Sequence, residues 1–507
     1  MSMVSSSHWE HQRHHELSDV LIVGAGFVGL WTAWHWLQRH PKGRIHLVDR
    51  LPSMQAGAST RNAGFACFGS PTELLEDLAH EPEDDIIERL HQRYMGLQQW
   101  RSTFSAADLD WKDALGHEVF SPDQKDGYQR AVAALDHLNT LAHRADIPGN
   151  VYRVAEGFSP QLPHAISIRH EAGLHPGKAY AQLTHAVLAA GARIHRGVPL
   201  PPKSEWTYEH GAWRIPSPQG VWMARNVVVA SNAWAHLSLP QLDIVPGRGQ
   251  VLFTDPISNL PFQGTYHADA GYLYFRNVGN RLLLGGGRNQ FRAAEETHDA
   301  QTSDEVQAYL ENYLHTVLLP GFRVNIAERW AGTMAFSSDQ SKKPYMEDLG
   351  DQTYVAARMG GMGVPQNPKT PEDEFEEKKR KKEITVLFSF LSGYLARALP
   401  PFLVRLSAEK AARQVVASAA DLLRLNPSLG YPSRRWVPAP DFKLNRLLRL
   451  RHTSRRTEQP GRASSSSSLI EYPWRPTSNA SCAGSSLLGL GPLSILRRNR
   501  QRSSCGT

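Results

Sequence analysis

The chain has 507 residues, 41% of them apolar and 21% charged, which suits a globular protein of two or three domains and excludes a wholly disordered one. Its net charge of +7 is unevenly spread: residues 365–507 hold 25 Lys and Arg against 11 Asp and Glu, leaving 31 against 38 in residues 1–364. The body is thus mildly acidic and the basic excess sits in the last part, so net charge alone does not mark the body as a nucleic-acid binder. The three cysteines, Cys67, Cys482 and Cys505, give neither a disulfide framework nor a CxxC metal spacing, and no metal ligand is expected.

Residues 1–16 read as a flexible arm. They carry His8, His11, His14 and His15 but no apolar h-region, so no secretory signal is expected and the protein is expected to be cytoplasmic. Val20 to Val23 is a short apolar β-type run. Gly24, Gly26 and Gly29 follow at G-x-G-x-x-G spacing, and Leu30 to Arg39 is helix-compatible. Gly24 permits a tight turn, Gly26 lets backbone approach a pyrophosphate, and Gly29 lets the helix lie close on the strand. The helix start then faces phosphate with its free N–H groups and dipole. Ile45 to Val48 reads as the second strand. Asp49 closes it 25 residues after Gly24, near the expected distance of about 20 for an acid that accepts from a ribose.

Residues 50–64 are small, polar and glycine-rich, a loop on the nucleotide side of the sheet. Within them Gly57-Ala58-Ser59-x-Arg61-Asn62-Ala63-Gly64 resembles the flavin-contacting segment of the D-amino-acid oxidase/glycine oxidase-like family of FAD-dependent oxidoreductases. The resemblance implies an α/β fold: a discontinuous Rossmann-like FAD-binding domain (17–85, 161–240 and 326–364) and a mixed α+β substrate domain (86–160 and 241–325). It implies noncovalent FAD contacted by Gly24, Gly26, Phe27, Val28, Gly29, Asp49, Arg50, Ser59, Arg61, Asn62, Ala63 and Gly64.

Pro71 to Trp100 and Gln129 to Ala145 carry helical apolar spacing. The turn Gly173 to Lys178, an alanine-rich helix and a return strand follow in the family's order, with Val198 at the position expected beside the adenine. Ala224 to Trp234 resembles a second strand and turn passing beneath the FAD. The hairpin formed by 271–276 and 281–286 is the clearest β-pair, and alternation puts Tyr272, Tyr274 and Arg276 on one face, a candidate substrate-binding face. Residues 328–346 resemble the family's Trp-x-Gly…Asp…Pro stretch. Gly360, Gly361, Met362 and Gly363 match its last glycine-rich turn, which faces the flavin's pyrimidine end.

The resemblance ends near 364. Residues 365–507 form an atypical basic tail that reads as disordered from about 426, and the apolar run from Ile384 to Ala396 is too short for a membrane span of about 20 residues. The family's chemistry is oxidation of a C–N bond of an amine or amino acid by hydride transfer to flavin. No catalytic acid or base is assigned, and the electron acceptor is oxygen or another oxidant. The family's arginine shortly after Trp-x-Gly is missing at Gly332-Thr-Met334, so either Arg276 takes the carboxylate or the acid group lies farther from the reacting carbon. Two other readings stand beside this one: an RNA-associated FAD oxidoreductase using the basic tail, and a flavin protein with impaired or no catalysis because the flavin-facing helix is replaced. Neither gives a firm nucleic-acid or membrane partner.

Overall fold

Val20, Ile22, Val23, Ile45, Val48 and Val227 to Val229 are β-branched residues, which suit a pleated surface covered on both sides. They form the centre of a parallel sheet in the computed structural model, which describes residues 16–52, 57–339 and 341–366. The expected arm, apart from Glu16, and the tail beyond Gln366 lie outside the described residues.

In chain order, β1 (Ser18–Val23) leads into α1 (Phe27–Arg39), β2 (Ile45–Asp49), a helical turn at Ala58–Arg61 and the short β3 (Phe65–Ala66). Helices α2 (Pro71–Leu78) and α3 (Glu83–Thr103) precede β4 (Lys112–Asp113) and β5 (Gly116–Phe120). Then come α4 (Lys125–Ala133), α5 (Leu135–Arg144), the hairpin β6 (Tyr152–Ser159) and β7 (Leu162–Ile168), and β8 (Ala172–Gly173). Helix α6 (Pro176–Ala189) returns the chain to β9 (Arg193–Arg196), β10 (Thr207–Glu209), β11 (Ala212–Ser217) and β12 (Gly220–Val229). Next are β13 (Val245–Thr254), β14 (Thr265–Ala268), β15 (Leu273–Val278) and β16 (Arg281–Gly286). Helix α7 (Asp304–Tyr313), the long β17 (Ile326–Phe336), β18 (Tyr345–Asp348) and β19 (Thr353–Ala357) complete the described chain.

The first sheet has a parallel core in the order β19–β12–β1–β2–β9, extended by antiparallel β10, β11 and β18. The second runs β17–β13–β16–β15–β14–β5–β7–β6. This is the expected α/β Rossmann-like architecture with a second, mixed part. The strand pairing does not follow the domain divisions drawn at 160/161 and 325/326, because β7 and β17 both belong to the second sheet. The 160/161 division cuts the β6–β7 hairpin, and β17 joins the second sheet through the distant strand β13.

Helix α1 is buried along most of its length because it lies between the sheet and α3. Trp31 meets Trp100 of α3 edge-on at 4.9 Å between ring centroids, and Phe27 does so at 5.2 Å. In the second sheet, one face packs on α7 through Val306 and Leu310. On the other, cross-strand register aligns Glu118, His267, Tyr274, Gly285, Val251 and Trp330 in one row. The neighbouring row carries Thr265, Arg276 and Leu283. This inner face packs on Ala63, near the end of the 57–64 loop, and on Phe65 just after it.

Charged groups are concentrated behind that face. Glu73 is buried; burial alone would raise its pKa, but Lys342 and Arg93 outweigh it and bring it down to about 2. Glu118 is the opposite case. It is 1% exposed and accepts hydrogen bonds from Thr72 N–H at 2.9 Å, from Ser70 Oγ–H at 3.2 Å and from the Thr72 hydroxyl. Burial pushes its pKa up to about 7 in spite of those bonds.

A carboxyl with a raised folded pKa binds more protons folded than unfolded, so stability falls as pH rises from about 4.5 to about 7. Glu118→Gln, which keeps a neutral acceptor, should match the wild type at pH 4 and exceed its unfolding free energy by up to about 3 kcal/mol at pH 8. Denaturant unfolding at both pH values measures this. An unchanged difference between wild type and variant across the two would mean that the site holds the charged carboxylate without penalty.

Candidate functional site

The parallel strands end together, and a cleft of about 420 Å³ opens at their C-terminal edge. The β1–α1 turn, the end of β2, the 57–62 loop, Val198 after β9, the turn after β12 and the stretch after β19 all line it. Gly24, at φ +110°, makes the turn after β1; a Cβ there would lie 2.6 Å from the Ala230 carbonyl oxygen. A Cβ on Gly29 would lie 1.9 Å from the Gly24 oxygen, so the helix can approach the turn only with glycine here. Gly26 stands at the N-cap of α1 and has no side chain to serve the first helical N–H groups. Ser59 Oγ supplies that acceptor from the loop, taking the Phe27 N–H at 2.9 Å.

Asp49 holds the same turn from the other side. Its Oδ2 accepts from Ala25 N–H at 2.9 Å and its Oδ1 from Leu51 N–H at 2.9 Å. An ionised carboxylate has about four lone-pair sites, so two remain for a ligand. The Arg50 guanidinium stacks over the Trp234 ring at 4.1 Å, and both line the cleft. Ser231 Oγ is buried at the cleft with no hydrogen-bond partner among the described residues. Asn232, at φ +48°, accepts through Oδ1 from Arg358 N–H at 3.1 Å and so ties the turn after β12 to the one after β19. Beyond Met359 a Cβ on Gly361 would meet nothing within 4 Å. Open backbone at Gly361, an unfilled hydroxyl and an under-capped helix N-terminus fit a long anionic cofactor.

A family model described as FAD dependent oxidoreductase matches residues 19–368. The chain belongs to the DAO family of FAD-dependent oxidoreductases. The structure is also similar to glycine oxidase from Bacillus cereus ATCC 14579 (TM-score 0.56, 16% identity, 71% of this chain and 95% of that one). Glycine oxidase from Geobacillus kaustophilus (0.55, 19%, 71% and 93%) and L-proline dehydrogenase from P. horikoshii (0.55, 15%, 71% and 92%) are similar too. At these identities the structural likeness speaks for the fold. A search of curated proteins finds no match.

Of the FAD contacts expected from the DAO resemblance, Gly24, Gly26, Phe27, Val28, Asp49, Arg50, Ser59, Asn62, Val198, Gly360, Gly361 and Gly363 line the cleft. Gly29, Arg61, Ala63, Gly64 and Met362 do not. Gly29 is a packing residue. Arg61 reaches away to β17, donating to the Ala331 carbonyl at 2.8 Å, while its own carbonyl accepts from Trp330 Nε1 at 2.9 Å. Ala63 is buried against Val251 and Leu283. Gly64, at φ +73°, runs against Leu174, whose N–H donates to its carbonyl at 2.9 Å. Met362 Sδ lies 3.7 Å from Cys67 Sγ. Ser231, Trp234, Thr333 and Met334 line the cleft and were not singled out as site residues from sequence. The apolar run ending in Ala230-Ser231-Asn232 was the available signal for the first of them.

The hairpin face divides. Tyr274 and Arg276 point inward from β15, Tyr274 edge-on to Phe65 at 5.7 Å. Tyr272 precedes the strand and is 39% exposed, so it does not join them in the buried face. Burial pushes the Tyr274 hydroxyl up to about 12, keeping it a neutral donor. Arg276 is 7% exposed, donates through Nη2 to the Leu174 carbonyl at 2.8 Å, and leaves Nε buried and unpartnered. No carboxylate forms an ion pair with it among the described residues, and burial lowers its pKa to about 10 with only Asp110 partly offsetting. Among the described residues no helix is long and apolar enough to cross a membrane. The RNA-binding and impaired-catalysis readings rest on the tail and so on residues outside those described.

Gly26→Val should abolish FAD retention, because the added side chain meets Ser59 Oγ, 2.9 Å from the Cβ position, where the helix start must stay open. Asp49→Ala should weaken FAD binding by about 10- to 100-fold, through loss of a charged hydrogen-bond acceptor for the ligand and of the contact that holds the Ala25 N–H in the turn. Flavin fluorescence titration of the two apoproteins measures both. Wild-type affinity in both would remove the cofactor from this turn.

Proposed function

We propose that this chain oxidises the C–N bond of an amino acid or related amine, and that Arg276 holds the substrate's carboxylate. The observation that carries the reading is the Arg276 guanidinium: buried, still cationic at neutral pH, and without an acidic partner among the described residues. It stands on the face that packs on Ala63 and Phe65, with β16 and β13 between its strand and β17, which carries Met334 at the cleft. Desolvated charge of this kind is costly unless paired, and a carboxylate is the planar acceptor that a guanidinium fork matches. The structural relatives glycine oxidase and L-proline dehydrogenase are named for amino-acid substrates, in agreement with that substrate class.

FAD, when bound, supplies the acceptor for the hydride leaving the carbon next to nitrogen. The chain's contribution is to bind and orient. The α1 N-terminus, Ser59 and Ser231 would hold the pyrophosphate, Asp49 the ribose, Val198 the adenine, and the Gly360–Gly363 turn the far end of the ring. Tyr274, kept protonated by burial, would donate to the substrate beside Arg276. Fixing the carboxylate at one end restricts which C–H bond faces the cofactor, and that is orientation rather than acid–base catalysis.

The cofactor is noncovalent in this reading, since Cys67, the cysteine among the described residues, is buried and does not line the cleft. Acid precipitation should release all the yellow colour; colour kept in the pellet would contradict it. Arg276→Met should lower kcat/KM for carboxylate-bearing amines by about two orders of magnitude or more, the kinetic equivalent of about 3 kcal/mol. Plain amines, assayed with an artificial electron acceptor, should be nearly unaffected. Equal losses in both substrate classes would make Arg276 a structural residue, and no loss in either would put it outside the substrate site.

A further inference from the structure

Cys67, Glu171 and His267 are far apart in sequence and meet behind the 57–64 loop. Cys67 follows β3, Glu171 precedes β8 and His267 lies in β14. The antiparallel register that pairs Ala66 with Ala172 carries on to set Cys67 opposite Glu171. The thiol, the carboxylate and the imidazole offer ligand atoms within 4.8 Å of one another, and the residues are 5%, 2% and 4% exposed. His267 Nε2 is 3.0 Å from Glu171 Oε2, a separation that two ligands of one small tetrahedral ion also have. Thr265 donates to the same carboxylate oxygen at 2.8 Å, the kind of outer contact that orients a ligating group. Met362 places a second sulfur 3.7 Å from Cys67 Sγ.

We propose that Cys67, Glu171 and His267 bind one zinc(II) ion, which clamps the segment after the flavin-facing loop to the second sheet. The donor set selects the metal class: sulfur and imidazole exclude magnesium and calcium and suit a borderline-soft dication. The charges balance. Thiolate and carboxylate neutralise a dication while His267 contributes a neutral nitrogen, so loading releases the Cys67 and His267 protons. An ion pair between Glu171 and His267 accounts for two of the three groups without metal. It does not account for the convergence of the Cys67 sulfur, whose ligand atom lies within 4.8 Å of those of both partners and completes a three-donor set.

The four histidines of residues 1–16 would confuse a metal count, so the test uses the full chain with His8, His11, His14 and His15 changed to Gln. Grown with zinc and dialysed, this protein should keep one zinc per chain by atomic emission. Cys67→Ser and His267→Gln in that background should lose it, and Thr265→Val should weaken zinc affinity by about tenfold. Cobalt(II) in the metal-freed wild-type background should give a near-ultraviolet thiolate-to-metal band that Cys67→Ser lacks. Circular dichroism and FAD content identify variants that fail to fold, and for those the cobalt spectrum of the unsubstituted site decides. A chain that takes up neither zinc nor cobalt, or a folded Cys67→Ser variant that retains a full equivalent, overturns the proposal.

Discussion

The cleft depends first on how closely α1 meets the turn that precedes it. Gly29 lies so near the Gly24 carbonyl that a single added carbon would collide with it, and this contact sets the axis of a helix otherwise buried beneath α3. Once the axis is set, the first N–H groups of α1 point at the strand ends. The helix brings no side-chain cap and no acid in its first turn, so the positive end of its dipole is left to groups from elsewhere. Ser59 takes one N–H; Asp49 stabilises the turn without touching the helix itself. A site that binds anion is therefore formed by what the helix lacks as much as by what surrounds it.

The two sheets treat charge differently. The first contributes backbone donors, hydroxyls, the buried Asp49 carboxylate and one exposed cation, Arg50, resting on an indole. The second buries titratable groups: Glu171, His267 and Arg276 at the inner face beside Glu118, whose burial favours the neutral carboxyl, with Glu73 and Arg93 buried behind and Lys342 partly exposed. Most of these are compensated. Lys342 contacts Asp77 at 2.7 Å and Glu73 at 3.4 Å, and Glu171 outweighs the effect of burial on His267 so that its pKa is raised. Compensation inside the sheet explains how such a layer remains stable in spite of its desolvation cost.

Local pattern made part of this legible. The glycine spacing, the acid after β2, the helices around 71–100 and the 271–286 hairpin could be read directly because turn chemistry and periodicity act over a few residues. Asn62, Ser59 and Val198 came from resemblance, and the structure brings all three to the cleft. What could not be read depends on partners that sequence does not connect. Arg61 carries its charge in a loop that seemed made for phosphate, yet it reaches a β17 carbonyl some 270 positions away. Strand β17 joins the second sheet through β13 for the same reason. Alternation placed Tyr272 with Tyr274 and Arg276, but the strand starts one residue later, at Leu273, and alternation carries no weight outside the ladder.

Arg276 is the buried cation of this face that has no acidic ion-pair partner among the described residues. Its partner across the ladder, Thr265, spends its hydroxyl on Glu171, and Glu171 in turn is committed to His267. Glu171 is thus already engaged, and the guanidinium donates to the Leu174 carbonyl with Asp110 as the carboxylate whose charge partly offsets its burial. A pKa of about 10 keeps it charged at neutral pH, so burial has not removed the charge by deprotonation. Five donors on a rigid fork with one acceptor among the described residues make an energetically incomplete group. An anion that completes it gains more than the same anion would at the surface, where water already satisfies the fork. Selection for a carboxylate on the substrate would then follow from the sheet's own arrangement of charge.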